Sequence, residues 1–97
     1  MYITILSGHV SHENWTALEN SFEKVQHQPP VGLLQSSLVQ SDDDPTQWEI
    51  ISLWQSHAIY LVAEEKQQTN LCVRLFCDAG SIPNRRGYKM VRRYVRV

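Results

Sequence analysis

Three residues near the middle of the chain have side chains that can bind a small molecule and exchange a proton with it. His57 stands at the start of a predicted helix, where the helix dipole disfavours the imidazolium and leaves a neutral ring that can accept a proton. Tyr60 lies one turn later and Trp54 ends the preceding strand, so the two predict a pocket wall with a hydrogen-bonding tip. We take His57 and Tyr60 as candidate catalytic residues and Trp54 as a candidate binding residue. A surface histidine and two aromatic core residues are the simpler interpretation.

Three further residues extend this candidate site. His9 stands near the end of the first predicted strand, where it can reach a pocket mouth, although a place in an exposed turn with His12 is its simpler role. Trp15 and Phe76 supply aromatic surface, and we include both among the candidate substrate-binding residues. The prediction is an apolar pocket with few polar groups.

The histidines and cysteines do not form a pattern that binds a metal. The His9-x-x-His12-Glu13 segment straddles a strand-to-helix turn, with no second pair of ligands to complete a site. Cys72 and Cys77 lie about 140° apart on a helix and on opposite faces of a strand. We therefore expect no metal, no cofactor and no disulfide, and predict that the thiols pack as small buried hydrophobes.

Length and composition predict one ordinary globular domain spanning residues 1–97. The chain is 42% hydrophobic and 20% charged, with a formal net charge of −1. No run approaches the roughly 20 apolar residues of a membrane span. The N-terminal segment Met1–Leu6 lacks a basic leader and is predicted to be a strand rather than a signal peptide. A cytoplasmic protein without a membrane partner is expected.

The C-terminal part of the chain is locally basic. The positive residues there are Arg85, Arg86, Lys89, Arg92, Arg93 and Arg96. On a strand they divide between two faces, and neither a glycine-rich phosphate loop nor an RNA-stacking motif accompanies them. Nucleic acid is therefore not an expected partner, and the arginines are predicted to pair with Asp42–Asp44, to meet a partner subunit or to line a sheet edge. A regulatory module that binds polyanions is a weaker alternative.

The first half of the chain predicts a strand, a helix and a hairpin. Tyr2–His9 forms the strand, and Ser11 is the predicted N-cap of a helix that ends before Pro29-Pro30. That helix carries one apolar stripe, formed by Trp15, Leu18, Phe22 and Val25. Strand two runs from Leu33 to Gln40, with Leu34 and Leu38 predicted on one face and Leu33 and Val39 on the other. A turn at 41–45 leads into strand three, which ends at Trp54.

Strand three is unusual because it carries large side chains on both faces. Alternation places Trp48, Ile50, Ser52 and Trp54 on one face and Glu49, Ile51 and Leu53 on the other. Helices are expected to cover the first face. The second face is too apolar to remain exposed to solvent, so we predict a homodimer in which two such sheets pack face to face.

The second half predicts two short helices and a final strand. Ser56 caps a helix from His57 to about Lys66, with Ala58, Leu61 and Val62 directed inward. The stretch 71–79 favours a short helix with Gly80 as its C-cap, although a strand is not excluded. Tyr88–Val97 is the predicted final strand. The order β-α-β-β-α-(α)-β is an α+β, ferredoxin-like pattern: an antiparallel sheet with helices on one face.

Three segments resemble one known family. They are the opening strand Tyr2–Leu6, the Pro30–Leu34 entry to strand two, and Trp48–Ser56, with its Trp-x-Ser passage from strand to helix. In these segments the chain resembles the antibiotic biosynthesis monooxygenase family of the dimeric α/β-barrel superfamily. The resemblance implies a dimeric α/β barrel, a small-molecule pocket between sheet and helices, and a homodimer.

The resemblance implies two activities and one alternative. Some members oxidise aromatic polyketides with molecular oxygen and without metal or flavin; others degrade haem, using an Asn on strand one, a Trp in helix two and a later His. This chain has no Asn within Tyr2–His9, carries Ala63 at the helix-two position, and has no His after His57. The resemblance therefore implies a cofactor-independent monooxygenase acting on a small aromatic molecule. A non-catalytic homodimer that binds a ligand or has a structural role is the alternative that stays open.

Overall fold

A four-stranded antiparallel sheet, with strand order β2-β3-β1-β4, forms the centre of the structure. The structure is a computed structural model and describes residues 1–25 and 27–96. The strands are β1 Tyr2–His9, β2 Leu33–Gln40, β3 Gln47–Trp54 and β4 Asn84–Lys89, and the helices are α1 Trp15–Val25, α2 His57–Glu65 and α3 Asn70–Asp78. This arrangement confirms the predicted α+β, ferredoxin-like fold.

The alternation predicted for β3 is confirmed by its burial. Trp48, Ile50, Ser52 and Trp54 are all buried, whereas the residues between them are partly exposed. The buried set faces the helices and packs with them into two apolar clusters. The main cluster is formed by Leu6, Val10, Leu18, Trp48, Ile50, Leu75, Phe76 and Ala79. The second cluster is formed by Trp54, Tyr60 and Ala63, with Tyr2, Leu33 and Ile59 packed against it.

A row of hydroxyl groups crosses the sheet between the two clusters. Thr4 pairs with Ser52 across β1 and β3, and Ser52 pairs with Ser36 across β3 and β2. The Ser36 and Ser52 Oγ atoms are 3.0 Å apart, and Trp54 Nε1–H donates to Thr4 Oγ1 over 3.1 Å. We call Thr4, Ser52 and Ser36 the hydroxyl row.

Helix α1 buries the stripe that the sequence predicts but begins later than expected. A single 3-10 turn, His12–Asn14, precedes it, and the Ser11 hydroxyl makes no capping bond. Trp15 Nε1–H donates instead to the Val10 carbonyl over 2.8 Å, which ties the start of the helix to the end of β1. Ser11 is the N-cap residue of this first turn, as predicted, but its side chain makes no capping bond, and the Trp15 indole helps to fix the helix entry.

Helix α2 confirms its predicted cap and corrects its predicted inner face. Ile59 N–H donates to Ser56 Oγ over 3.1 Å, so Ser56 is the N-cap. Tyr60 and Ala63 are the buried residues, whereas Leu61 and Val62 are about half exposed. The Tyr60 ring packs edge-on against Trp54 with centroids 5.2 Å apart, and this contact fixes the helix rotation. The inward placement of Ala58, Leu61 and Val62 is therefore wrong.

The stretch that left helix and strand open is a helix. Gly80 adopts φ +79°, and the Gly80 and Ser81 N–H groups donate to the Cys77 and Phe76 carbonyls over 3.0 and 2.9 Å. This is a Schellman motif, so Gly80 ends α3 as predicted. Cys72 is partly buried but Cys77 is exposed, and both thiols are free. The prediction of two buried thiols is thus wrong for Cys77.

The final strand lies earlier in the chain than predicted. In β4, Asn84 pairs with Ser7 and Lys89 pairs with Tyr2. Because β1 begins at Tyr2, β4 can pair no further than Lys89, and one last bond runs from Met90 N–H to the Met1 carbonyl at 3.2 Å. The predicted strand Tyr88–Val97 is therefore wrong over 90–96, which lie outside the sheet, and Val97 lies outside the described residues.

An irregularity in β2 changes which of its side chains face the helices. Leu33 lies opposite Trp54, Gln35 lies opposite Leu53, and the register shifts between them. Leu33 therefore joins Leu38 on the helix-covered face rather than lying opposite to it as predicted. A bulge of this kind places one extra residue in a strand, and sequence alternation alone does not reveal it.

The face of the sheet that points away from the helices also carries apolar residues. Ile3 and Ile5 of β1 lie opposite Leu53 and Ile51 of β3, and Tyr88 of β4 pairs with Ile3. The four aliphatic residues are partly buried and Tyr88 is 44% exposed. We call these five residues the outer face.

Candidate functional site

A cavity lies between the sheet and the helices, directly over the hydroxyl row. Its volume is about 60 Å³, measured as the space that the centres of water-sized molecules can occupy. Aliphatic and aromatic side chains form much of the wall, with the hydroxyl row and a few other polar groups among them. The lining residues on the sheet are Thr4, Leu6, Leu33, Ser36, Ile50, Ser52, Trp54 and Arg85. Such a mixture is typical of sites that bind small organic molecules.

Strand β4 directs one cation into this cavity. Arg85 pairs with Leu6 across β1 and β4, and therefore points to the helix-covered face. Its Nη2 donates to the Thr69 carbonyl over 3.1 Å, and its Nη1 lies 3.5 Å from Glu64 Oε1. The guanidinium is thereby fixed between the end of the α2–α3 connection and helix α2. It supplies positive charge at the inner wall.

Tyr60 connects the cavity to the same carboxylate. Its phenol donates to Glu64 Oε1 over 3.2 Å, and the residue is 5% exposed. Burial raises the pKa of the Tyr60 phenol above its ordinary value of 10.0. The phenol is therefore neutral near pH 7 and can exchange a proton with Glu64, which is in contact with solvent.

The mouth of the cavity is bordered by the connection before β2 and the start of α3. Gln28, Pro29 and Pro30 line it on one side, and Gln68 and Leu71 line it on the other. A second, more open groove shares Gln28, Pro30, Gln68 and Leu71 and adds Lys24 and Lys66. Lys24 and Lys66 therefore place positive charge beside the residues that the groove and the cavity share.

The structure brings two of the predicted site residues into the cavity. Trp54 and Tyr60 both line it. His57 does not: its ring is exposed and stacks on Tyr2, with centroids 4.3 Å apart and an interplanar angle of 24°. Its start-of-helix position is as expected, but in the first turn of α2 the side chain that faces the cavity is Tyr60, which packs against Trp54.

The other predicted site residues lie elsewhere. His9 lies in a separate shallow groove with Gly80 and Ser81, and its Nδ1 is 3.3 Å from Thr46 Oγ1. Phe76 is completely buried in the main cluster, and Trp15 packs against that cluster with its ring edge-on to Trp48 at 5.9 Å. Trp15 and Phe76 therefore belong to the packing of the main cluster and do not line the cavity.

Sequence reasoning missed the polar residues of the cavity. Arg85 precedes the predicted final strand Tyr88–Val97, so the sequence indicates it only as one of the basic C-terminal residues and not as part of a pocket. The signal that would have found it is register: an arginine paired with buried Leu6 must face the core side. The hydroxyl row and Thr69 carry no such signal, because small polar residues are common in strands and turns alike.

Two features, a metal-binding cluster and a membrane-spanning helix, are absent from residues 1–25 and 27–96. Within these ranges no group of three or more His, Cys, Asp or Glu side chains is close enough to hold a metal ion. Among the helices of the same ranges, none is both long and apolar enough to cross a membrane.

Comparison with solved structures identifies the fold. A candidate antibiotic biosynthesis monooxygenase from Deinococcus radiodurans superposes with a TM-score of 0.75 at 11% identity, covering 100% of this chain and 99% of that one. Another antibiotic biosynthesis monooxygenase gives 0.69 at 14% identity, covering 95% and 100%. A mutant of SnoaB, a cofactor-independent oxygenase from Streptomyces nogalater, gives 0.66 at 14% identity, covering 95% of each chain. No family model and no curated protein matches the sequence. The chain has the fold of the antibiotic biosynthesis monooxygenase structures, as the resemblance implied.

Proposed function

We propose that the chain binds a small aromatic molecule in the sheet–helix cavity and oxidises it as a cofactor-independent monooxygenase. The observation that carries this proposal is the cavity itself, which combines apolar walls with Trp54, Tyr60 and Arg85. The fold is shared with a protein named a cofactor-independent oxygenase, which supports the proposal.

The chemistry requires a substrate that supplies its own electrons. An acidic aromatic methylene loses a proton to form a resonance-stabilised anion, and Arg85 stabilises the negative oxygen of that anion. The Tyr60–Glu64 pair accepts the proton and passes it to solvent. The anion then reduces oxygen: the methylene becomes a carbonyl that keeps one oxygen atom, and the second atom leaves as hydroxide, which takes up a proton from solvent to become water. The four electrons lost by the methylene equal the four gained by oxygen.

An anthrone provides the test, because its methylene reacts in this way and its product absorbs at a different wavelength. We expect one oxygen molecule consumed per quinone formed and one atom of labelled oxygen retained in the product. Tyr60→Phe and Arg85→Gln are expected to slow turnover at least about 100-fold. His57→Gln is the matched control and should leave the rate unchanged. Turnover no faster than that of heat-denatured protein would contradict the monooxygenase proposal.

A non-catalytic ligand-binding homodimer is the second candidate function. The observation that favours it is the position of His57, because the predicted base lies outside the cavity. Anthrone binding that perturbs the Trp54 indole without any oxygen uptake would support this candidate over the first.

We also propose that the protein is a homodimer in which two outer faces pack together. The outer face is a contiguous apolar surface on a regular sheet, and such surfaces mark interaction sites. Sheet-on-sheet contact related by a two-fold axis would bury the same residues on both chains. Light scattering should then give twice the 11.3 kDa mass of the chain.

A further inference from the structure

We propose that the inner end of the cavity is a binding site for the carboxylate of an aromatic acid, formed by Thr69, Arg85 and the first turn of α3. This inference rests on the proposed ligand-binding function and adds to it the chemical class of the ligand.

Thr69 supplies the first observation. Thr69 is 6% exposed and lines the cavity. Its Oγ1 is buried without a hydrogen-bond partner among the described residues. It is the N-cap residue of α3, yet its side chain makes no capping bond. A buried hydroxyl without a partner lowers the stability of the folded state. The Oγ1 atom itself has almost no accessible surface, so a ligand oxygen in the cavity would provide that partner after a rotation of the Thr69 side chain.

The second observation is the helix that begins at this residue. The first N–H groups of an α-helix have no partner within the helix, and the helix dipole makes this end attractive to anions. In α3, Asn70 N–H donates to the Gln67 carbonyl over 3.3 Å, so the groups that remain for a ligand are those of Leu71 and Cys72. Leu71 and Cys72 of the first turn line the cavity, and that turn contains no acidic residue. Burial raises the pKa of the Cys72 thiol, so this side chain stays neutral and does not repel an anion.

Arg85 supplies the third observation. A guanidinium has five N–H donors, and the described contacts use two of them, to the Thr69 carbonyl and to Glu64. The contact to Glu64 is long, at 3.5 Å, and that carboxylate is 45% exposed on its side chain. The remaining donors can bind an incoming carboxylate without displacing Glu64.

The three groups together define the ligand. The carboxylate lies against Thr69 and Arg85, and the aromatic ring extends over the hydroxyl row towards Trp54. The lysines of the neighbouring groove, Lys24 and Lys66, favour the approach of an anion.

The test compares 2-naphthoate with 2-naphthamide, which has nearly the same shape and no charge. We expect calorimetry to show that wild-type protein binds naphthoate at least about 10-fold more tightly than naphthamide. Thr69→Val should weaken naphthoate binding about 10-fold and leave naphthamide binding nearly unchanged, whereas Thr69→Ser should behave as wild type. Arg85→Gln should abolish the preference, and Glu64→Gln should strengthen naphthoate binding because it removes a competing charge.

A stability measurement distinguishes a ligand contact from a structural role. Because valine has the shape of threonine without the hydroxyl, Thr69→Val should raise or preserve the melting temperature of the ligand-free protein. A lower melting temperature together with unchanged naphthoate binding would overturn the inference.

The position of binding separates the two proposals. The indole N–H signal of Trp54, assigned with Trp54→Phe, should shift with naphthoate. Equal affinities for the two probes, with Trp54 shifted by both, would overturn the carboxylate site and leave the cavity as a binding site. Failure of both probes to bind would count against both proposals.

Discussion

Tyr60 joins three parts of the molecule through one side chain. Its ring packs against Trp54 and Tyr2, with centroids 5.2 and 5.3 Å away, and its phenol reaches Glu64. The same residue therefore holds α2 on the sheet, lines the cavity and connects the cavity to a solvent-accessible carboxylate.

Replacing Tyr60 with phenylalanine is expected to separate these roles. The ring contacts remain, so the free energy of unfolding should fall by about 1 kcal/mol through the lost hydrogen bond. The folded-state pKa of Tyr60 is above 10.0, so the unfolded chain loses this proton more easily as the pH passes 10.0. Stability from this residue is therefore present below pH 10.0 and is lost above it. Urea denaturation from pH 8 to 11 should show that loss in wild type and less of it in Tyr60→Phe; equal profiles would contradict the assignment.

At the residue scale, the sequence indicated the aromatic wall better than the polar groups. Trp54 and Tyr60 follow from strand alternation and helix spacing, which are local properties. Arg85 and Thr69 reach the cavity through strand register and through the connection between two helices, which are set by distant contacts. His57 begins α2 as predicted, but tertiary packing determines which side chains of the first helical turn reach the cavity.

At the scale of elements, the end of α3 shows how one backbone position fixes a helix. Gly80 closes the Schellman motif at φ +79°, and the motif holds Phe76 in the main cluster. A methyl group at Gly80 would meet nothing nearer than Asn14 Nδ2 at 3.9 Å. The cost of a side chain there is therefore conformational rather than steric.

Two substitutions at this position test that account. Gly80→Ala is expected to lower the free energy of unfolding by about 1 kcal/mol, because alanine disfavours positive φ. Gly80→Asn should cost less, since asparagine tolerates the left-handed region. Thermal or urea unfolding of both variants provides the measurement, and an alanine variant as stable as wild type would contradict it.

The elements that the sequence predicted correctly are those whose signals lie in neighbouring residues. β1, β3, the bounds of β2, the stripe of α1 and the cap of α2 depend on neighbouring residues and are confirmed, whereas the predicted faces of β2 are wrong because of its register shift. The inner face of α2 was wrong because Leu61 and Val62 offer one apolar face and Tyr60 and Ala63 another. The position of β4 was wrong because its end is set by where β1 begins.

At the scale of the whole molecule, the outer face determines how two copies would assemble. Ile51 belongs to this face and lies opposite Ile5, so a lysine there would place a charge within the proposed contact. Ile82 provides the matched control, because it is 93% exposed and belongs to the α3–β4 connection instead of the sheet.

We expect Ile51→Lys to convert a dimer into a monomer and Ile82→Lys to leave the dimer intact. Sedimentation equilibrium measures both masses against the 11.3 kDa chain. The wild-type unfolding midpoint should rise with protein concentration, and this dependence should disappear in Ile51→Lys. A wild-type protein that sediments as a monomer would contradict the dimer proposal.

The division of the interior by the hydroxyl row has a consequence for how the protein opens. Helix α2 is held mainly by the smaller second cluster, whereas α3 contributes Leu75 and Phe76 to the main cluster. The two regions should therefore behave as separate cooperative units, and amide protons of α2 should exchange with deuterium faster than those of α3. A ligand in the cavity contacts both regions and should slow exchange in α2 most. The hydroxyl row would then mark the boundary along which α2 separates transiently from the rest of the interior to admit a ligand.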